Sequence, residues 1–185
     1  MRVAVVILNY NGEGHLRRFL PSVVENSTGA DVVVADNGST DGSLALLDRE
    51  LATVSKVVLD KNYGFAEGDN RALAQLSEYD CFVLLNSDVR VTKGWLEPLV
   101  ELLERDSSVA AVAPKILSVE EPTKFEYAGA SGGFIDYLGY PFCRGRILST
   151  TEVDRGQYDD CREVFWASGA AFCVRRDVYA QLGGL

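Results

Sequence analysis

The chain has a single histidine, His15, and that scarcity closes off a large class of chemistry. A Ser-His-Asp or Cys-His apparatus needs an imidazole within hydrogen-bond reach of its nucleophile. His15 stands at the predicted start of the first helix, where a solvated or capping role is expected, so a triad hydrolase is disfavoured. The four cysteines, Cys81, Cys143, Cys161 and Cys173, form no CxxC pair and have no neighbouring histidine. Neither zinc-ligand nor redox-motif spacing is therefore present. Cys81 and Cys173 lie inside apolar runs and read as buried thiols in a reducing compartment. Nothing favours a Cys143–Cys161 disulfide, and the sequence leaves it open.

Positive charge is also in short supply. Lysine and arginine total 18 against 27 acidic residues, a net charge of -9. That argues against the clustered basic surface a nucleic acid would need. An acidic protein can still bind one nucleotide if a cation or helix N-termini neutralise its phosphates. No apolar run approaches the roughly 18 residues of a membrane span. The opening apolar stretch runs into Asn9-Tyr10-Asn11-Gly12 with no small-residue cleavage site, so it reads as a first strand and not a signal peptide. GxGxxG and Walker A patterns are missing, which leaves a dinucleotide enzyme or a nucleotidyltransferase without its fingerprint.

What is present fits one soluble α/β domain. Hydrophobic residues make up 47% of the 185 and charged residues 24%, enough to bury a core without disorder. Over residues 1–113, strand-like runs alternate with helical spacing, the signature of a mainly parallel sheet with helices on both faces. Strands are expected at 3–8, 31–36, 56–59, 81–86 and 109–113, and helices at 14–26, 41–51, 66–76 and 95–103. Pro21 should kink the first helix or restart it. Asp41 is an N-cap candidate for the second, whose apolar positions are Leu44, Leu47 and Leu51. Residues 116–162 are rich in Gly and aromatics, which suggests hairpins and a mobile loop without a core of their own. Regular pattern returns at 164–175, and a last helix is expected from about Arg176. The doubled glycine Gly183-Gly184 just before Leu185 suggests a cut end.

Three polar loops follow hydrophobic strands: residues 9–14, 36–42 and 86–88. In open α/β sheets, ligands bind outside the carboxyl ends of the strands. Asp36 and Asp88 can both face one crevice there, which suits a nucleotide diphosphate and a metal. Asp36 can accept hydrogen bonds from a ribose or base, and Asp88 can hold Mg2+ or Mn2+ together with phosphate oxygens and water. Asn62, Gly64 and Asn70 belong to a loop-to-helix stretch that reads either as turn geometry or as pocket lining. Trp166 reads equally as core packing or as a platform for a sugar ring.

Ile7-Leu8-Asn9-Tyr10-Asn11-Gly12, Val34-Ala35-Asp36-Asn37-Gly38-Ser39-Thr40-Asp41-Gly42-Ser43, Asn62-Tyr63-Gly64-Phe65-Ala66, Leu84-Leu85-Asn86-Ser87-Asp88 and Ser168-Gly169-Ala170 occur in this order. Together they resemble family 2 of the inverting glycosyltransferases, which have the GT-A fold, a Rossmann-like fold for nucleotide-diphospho-sugar transferases. The likeness covers nearly the whole chain and is closest to bacterial rhamnosyltransferase-like members that build surface polysaccharides. It implies transfer of a sugar, with inversion, from a UDP- or dTDP-linked donor to a glycan or lipid-linked acceptor.

The resemblance also implies roles. Leu8, Asn9, Tyr10, Asn11, Asp36, Asn37, Asp41, Asn62, Gly64, Asn70, Asn86 and Ser87 would line the nucleotide, and Asp88 would be the metal-binding acid of the DxD motif. Asn86 replaces that motif's first acid, so one protein carboxylate is left for Mg2+ or Mn2+. Asp69 stands where relatives often have Asn. Trp166, Ser168, Gly169 and Ala170 would meet the donor sugar or the acceptor. Residues 1–113 would form the nucleotide-binding half of a single domain and residues 114–185 an incomplete acceptor-side portion. The family's general base would lie beyond Leu185, which leaves a non-catalytic nucleotide-sugar-binding module as the alternative. The expected setting is cytoplasmic, with peripheral association of the full-length protein at the inner face of the membrane left open.

Overall fold

The computed structural model describes residues 1–128 and 130–185. Two compact units divide the chain: Met1–Val112 together with Cys173–Leu185, and Ala113–Phe172. The elements run β1 (Val3–Asn9), α1 (Glu13–Asn26), β2 (Asp31–Asp36), α2 (Ser43–Glu50), β3 (Ser55–Val58), α3 (Phe65–Leu73), β4 (Cys81–Asn86), α4 (Glu97–Arg105) and β5 (Ala111–Val112). Four short strands follow: β6 (Gly133–Ile135), β7 (Pro141–Cys143), β8 (Arg146–Ile147) and β9 (Thr150–Thr151). The chain ends with β10 (Ala171–Arg175) and α5 (Arg176–Leu182).

The first unit is built on a six-stranded sheet of order β3-β2-β1-β4-β10-β5. β1 pairs in parallel with β2 and β4, β2 pairs in parallel with β3, and β10 runs antiparallel to β5. Residues 3–7 of β1 and 81–85 of β4 are buried without interruption. A strand of that kind needs both sheet faces covered, which is why these runs are continuously apolar and do not alternate. Right-handed crossovers place α1 and α2, which carry the chain from β1 through β2 to β3, on one face. The connection through α3 runs back across the sheet to β4 and lies on the other. Asn9 sits opposite Asp36, and Leu8 is flanked by Ala35 and Asn86. The carboxyl ends of β1, β2 and β4 are thus level, at the point where the strand order reverses.

α1 buries Leu16, Phe19, Leu20 and Val23, one face at helical spacing. The helix runs through Pro21 without restarting, which sets aside the restart of the two expected outcomes. Pro21 and Arg17, whose carbonyl loses its helical donor to the proline, are both exposed. α2 buries Leu46 and Leu47, whereas Leu44 and Leu51 are only partly covered. α4 begins at Glu97, two residues later than Trp95, with Pro98 in its first turn. Arg175 caps its far end by donating through Nε to the Val109 carbonyl at 2.8 Å and through Nη2 to the Asp106 carbonyl at 3.0 Å.

The second unit carries an antiparallel sheet of order β6-β7-β8-β9. Hairpins are therefore present where the sequence suggests them. A small cluster of Phe125, Ala130 and Cys143, joined by Leu117, Tyr158 and Trp166, gives the unit a core that the short apolar pieces did not announce. Lys115 pairs with both Asp154 (2.7 Å) and Asp159 (2.5 Å). Cys143 is buried and Cys161 exposed, both as free thiols.

Candidate functional site

β1 ends in Asn9 and β2 in Asp36, and their side chains meet: Asn9 Nδ2 donates to Asp36 Oδ2 at 3.1 Å. Asn9 Nδ2 also reaches Ser39 Oγ at 3.2 Å, and Asp36 Oδ1 accepts the Ser39 N–H at 2.9 Å. Both residues are at 0% exposure. A buried carboxylate with both oxygens engaged inside the protein acts as a positioning group, here for the strand ends and the 37–42 loop. Sequence reasoning gave Asp36 a ligand contact; the structure places it beneath the surface, between Asn9 and Ser39. Asn9 Oδ1 has no hydrogen-bond partner among the described residues. A Cβ built on Gly12 would lie 2.4 Å from that oxygen and 3.8 Å from Ser87 Oγ, so the loop after β1 passes close to the loop after β4.

Asn11 joins the first two loops from outside. Its backbone turns with a φ of 50°, its N–H donates to Ser39 Oγ at 2.9 Å, and its Oδ1 accepts the Thr40 N–H at 2.7 Å. Asp41 completes this seam, accepting the Glu13 N–H at the start of α1 and the Ser43 N–H at the start of α2, each at 3.0 Å. Burial pulls its carboxyl upward, but the Ser43 and Glu13 hydrogen bonds outweigh that and hold it below the usual carboxylate range. One acid thus serves two helix N-termini; for α2 it does so from the residue before the N-cap, which is Gly42 and not Asp41 as expected.

Asn37, at 2% exposure, ties in the loop before α3. Its Nδ2 donates to Asn62 Oδ1 at 3.1 Å and to the Gly64 carbonyl at 2.8 Å, and its Oδ1 accepts the Tyr63 N–H at 3.0 Å. Asn62 Oδ1 also accepts the Gly64 N–H at 2.8 Å, an Asx turn that supplies the turn-geometry role for both residues. Leu8 is partly covered, and Tyr10 is half exposed beside these loops.

At the end of β4, Asn86 and Ser87 are partly covered and Asp88 is exposed, with no hydrogen bond or ion pair among the described residues. No three His, Cys, Asp or Glu side chains gather there or elsewhere among the described residues as a metal cage. One free carboxylate next to neutral Asn86 and Ser87 oxygens nevertheless fits Mg2+ or Mn2+, which take one or two protein carboxylates and fill the shell with phosphate and water.

Asn70 lies apart from this network. Its amide meets Leu185 and the Tyr179 hydroxyl. The preceding Asp69 is at 2% exposure without a hydrogen bond among the described residues, and burial pushes its carboxyl up to about 6. In the second unit, Trp166 is half-buried, its indole N–H donates to the Phe134 carbonyl at 3.0 Å, and its backbone bridges to Gly133. That is the packing role. Ser168 and Ala170 are partly covered and Gly169 is exposed. Ser39 was missed as an organising residue; its signal was a hydroxyl three residues after a strand-end acid, the spacing of a side-chain-to-backbone turn.

Comparison with known proteins agrees with this architecture. The model of the family described as Glycosyl transferase family 2 matches residues 4–183. An N-acetylglucosaminyl-diphospho-decaprenol L-rhamnosyltransferase of Mycobacterium tuberculosis is 29% identical over 198 residues, covering 97% of this chain and 63% of that protein. Polypeptide N-acetylgalactosaminyltransferase 8 of Drosophila melanogaster is 25% identical over 195 residues, covering 98% of this chain and 31% of that protein. The chain thus spans less than two thirds of the length of these curated relatives. Among solved structures, a mannosyltransferase from Pyrobaculum calidifontis in complex with GDP-Man and Mn2+ superposes with a TM-score of 0.66 at 18% identity, over 99% of this chain and 47% of that one. S. aureus TarS in complex with UDP-GlcNAc gives 0.56 at 24% identity, over 65% and 36%. These likenesses establish the fold, which is the GT-A fold.

Proposed function

The chain belongs to glycosyl transferase family 2, and from that premise we propose that it moves a sugar from a nucleotide-diphosphate donor to a hydroxyl of a glycan or lipid-linked acceptor, with inversion. The observation that carries this reading is the level set of strand ends, Asn9, Asp36 and Asn86, with a free carboxylate at Asp88. The Asn9–Asp36–Ser39 and Asn37–Asn62 hydrogen bonds hold the loops in a fixed shape before a ligand arrives, so that little ordering is left to binding. Leu8, Tyr10 and Asn11 offer the nucleoside side of that surface. Tyr10 presents an exposed ring on which a base can stack.

Asp88, with Asn86 and Ser87, would hold Mg2+ or Mn2+ on the donor diphosphate. The cation, when bound, supplies positive charge against the leaving diphosphate. A manganese-bound neighbour and UDP- or GDP-sugar ligands in related folds support this division of roles. Residues 114–185 are assigned to the acceptor and sugar side, with Ser168, Gly169 and Ala170 as its candidate contacts. The mycobacterial relative's lipid-linked substrate supports peripheral action at the inner face of a membrane. No helix among the described residues is long and apolar enough to cross one.

Calorimetric titration with UDP, dTDP and GDP, and then with their sugars, each with and without Mn2+, tests the reading. Binding of at least one diphosphate, strengthened by Mn2+, is expected. Failure of all three in folded protein would end it.

A further inference from the structure

Two thiols meet in the sheet of the first unit, among residues that the proposed function does not use. Cys81 opens β4 and Cys173 lies in β10, its neighbour in the sheet. Both are at 0% exposure, and their sulfurs stand 2.8 Å apart. The chain around them is anchored: the Arg176 N–H donates to the Asp80 carbonyl at 3.0 Å, and Arg176 Nε donates to the Tyr79 carbonyl at 2.7 Å. Closing to a disulfide of about 2.05 Å takes less than about 1 Å of relative movement.

We propose that Cys81 and Cys173 form an intramolecular oxidation site, which a peroxide converts to a disulfide joining β4 to β10. One thiolate attacks the peroxide O–O bond, becomes a sulfenic acid and releases a first water. The partner sulfur then displaces a second water from that sulfenic acid, so two thiols and one hydrogen peroxide give one S–S bond and two waters. Either thiol can donate to the other across this contact, and the sulfur that accepts is the one whose thiolate is favoured for the first attack. Access is the slow part: the oxidant reaches the pair when β10 or the two-residue edge strand β5 opens locally. The bond fixes the start of the returning segment, which carries α5, to the strand that ends at Asn86.

The test uses the whole 185-residue chain with Cys161→Ser, which removes the exposed thiol. It is treated with hydrogen peroxide in the native state, and in parallel refolded from urea in a glutathione redox buffer, so that access cannot limit the outcome. Non-reducing peptide mapping should yield a Cys81–Cys173 linked peptide that dithiothreitol abolishes. The oxidised protein should melt at least about 5 °C above the reduced form. Adding Cys173→Ala should remove both the link and the dithiothreitol-dependent shift. Two free thiols after both treatments, or a link through Cys143 instead, would overturn the proposal.

Discussion

Asn70 grips the backbone of Leu185 from both sides: its Oδ1 accepts the Leu185 N–H at 3.0 Å while its Nδ2 donates to the Leu185 carbonyl at 3.2 Å. The same Oδ1 accepts the Tyr179 hydroxyl at 2.5 Å. One amide therefore ties α3 to α5 and to the segment after it. Gly184 between them has a φ of 92°, and a Cβ there would fall 2.2 Å from Asn70 Oδ1.

Asn70→Ala should lower stability by roughly 1–3 kcal/mol, since three hydrogen bonds go and the Leu185 and Tyr179 donors lose their acceptor. Gly184→Ala should cost a similar amount, through positive-φ strain and displacement of the amide. Urea denaturation measures both, and hydrogen exchange should show faster loss of protection at residues 183–185. Wild-type stability in both variants would mean the grip contributes nothing.

Asp36→Ala is expected to act on the fold before it acts on ligand binding. The substitution leaves one Asn9 Nδ2 hydrogen and the Ser39 N–H without their acceptor in a buried site, at roughly 2–4 kcal/mol. A midpoint shift in urea together with weakened UDP or dTDP binding is the predicted pattern. Weakened binding in a protein of unchanged stability would instead return Asp36 to direct ligand contact.

Manganese should bind at Asp88 in company with a diphosphate and poorly alone, because a single carboxylate beside neutral oxygens is a weak site. Titrations with and without UDP or dTDP should differ by at least about tenfold in manganese affinity, with reciprocal tightening of the nucleotide. Asp88→Ala should erase the difference while leaving the melting temperature unchanged, since the side chain is exposed and unpaired among the described residues. Equal affinities in both titrations would count against the assignment.

Asp69 makes stability depend on pH with a defined sign. Burial raises its folded-state pKa from 3.8 to about 6, so between those values the folded form keeps a proton that the unfolded form has lost. Stability from this group therefore falls as pH rises from about 4 to about 6 and stays low above that. Asp69→Asn, uncharged at every pH, should be more stable than wild type at pH 7.5, by up to about 3 kcal/mol. At pH 3.5 the two should be alike. A pH-independent difference would show that charge burial is not the cause.

Much of the first unit was legible because its strands are buried on both faces and therefore appear as unbroken apolar runs, as residues 3–7 and 81–85 do. α1 was legible from the helical spacing of Leu16, Phe19, Leu20, Val23 and Val24, although Val24 is exposed. The α2 face was misjudged because Leu44, Leu46, Leu47 and Leu51 admit more than one stripe, and only packing chooses Leu46 and Leu47. Strands of two or three residues, such as β8 and β9, carry no period to read. At the site, strand-end positions could be predicted from chain order. The burial of Asp36 could not, because it depends on Asn9 and Ser39 closing over it from separate loops.

Val112 and Cys173 are opposed residues of adjacent antiparallel strands, and the whole second unit lies between them in the chain. That unit is therefore an excursion rooted in a two-stranded stem, entering and leaving the sheet at one place. Lengthening, trimming or exchanging the excursion leaves the β5–β10 register unchanged, whereas a single residue added within the stem would turn every side chain of one strand to the opposite face. The excursion, which holds the candidate contacts Ser168, Gly169 and Ala170, can thus diversify without disturbing the strand ends assigned to the nucleotide.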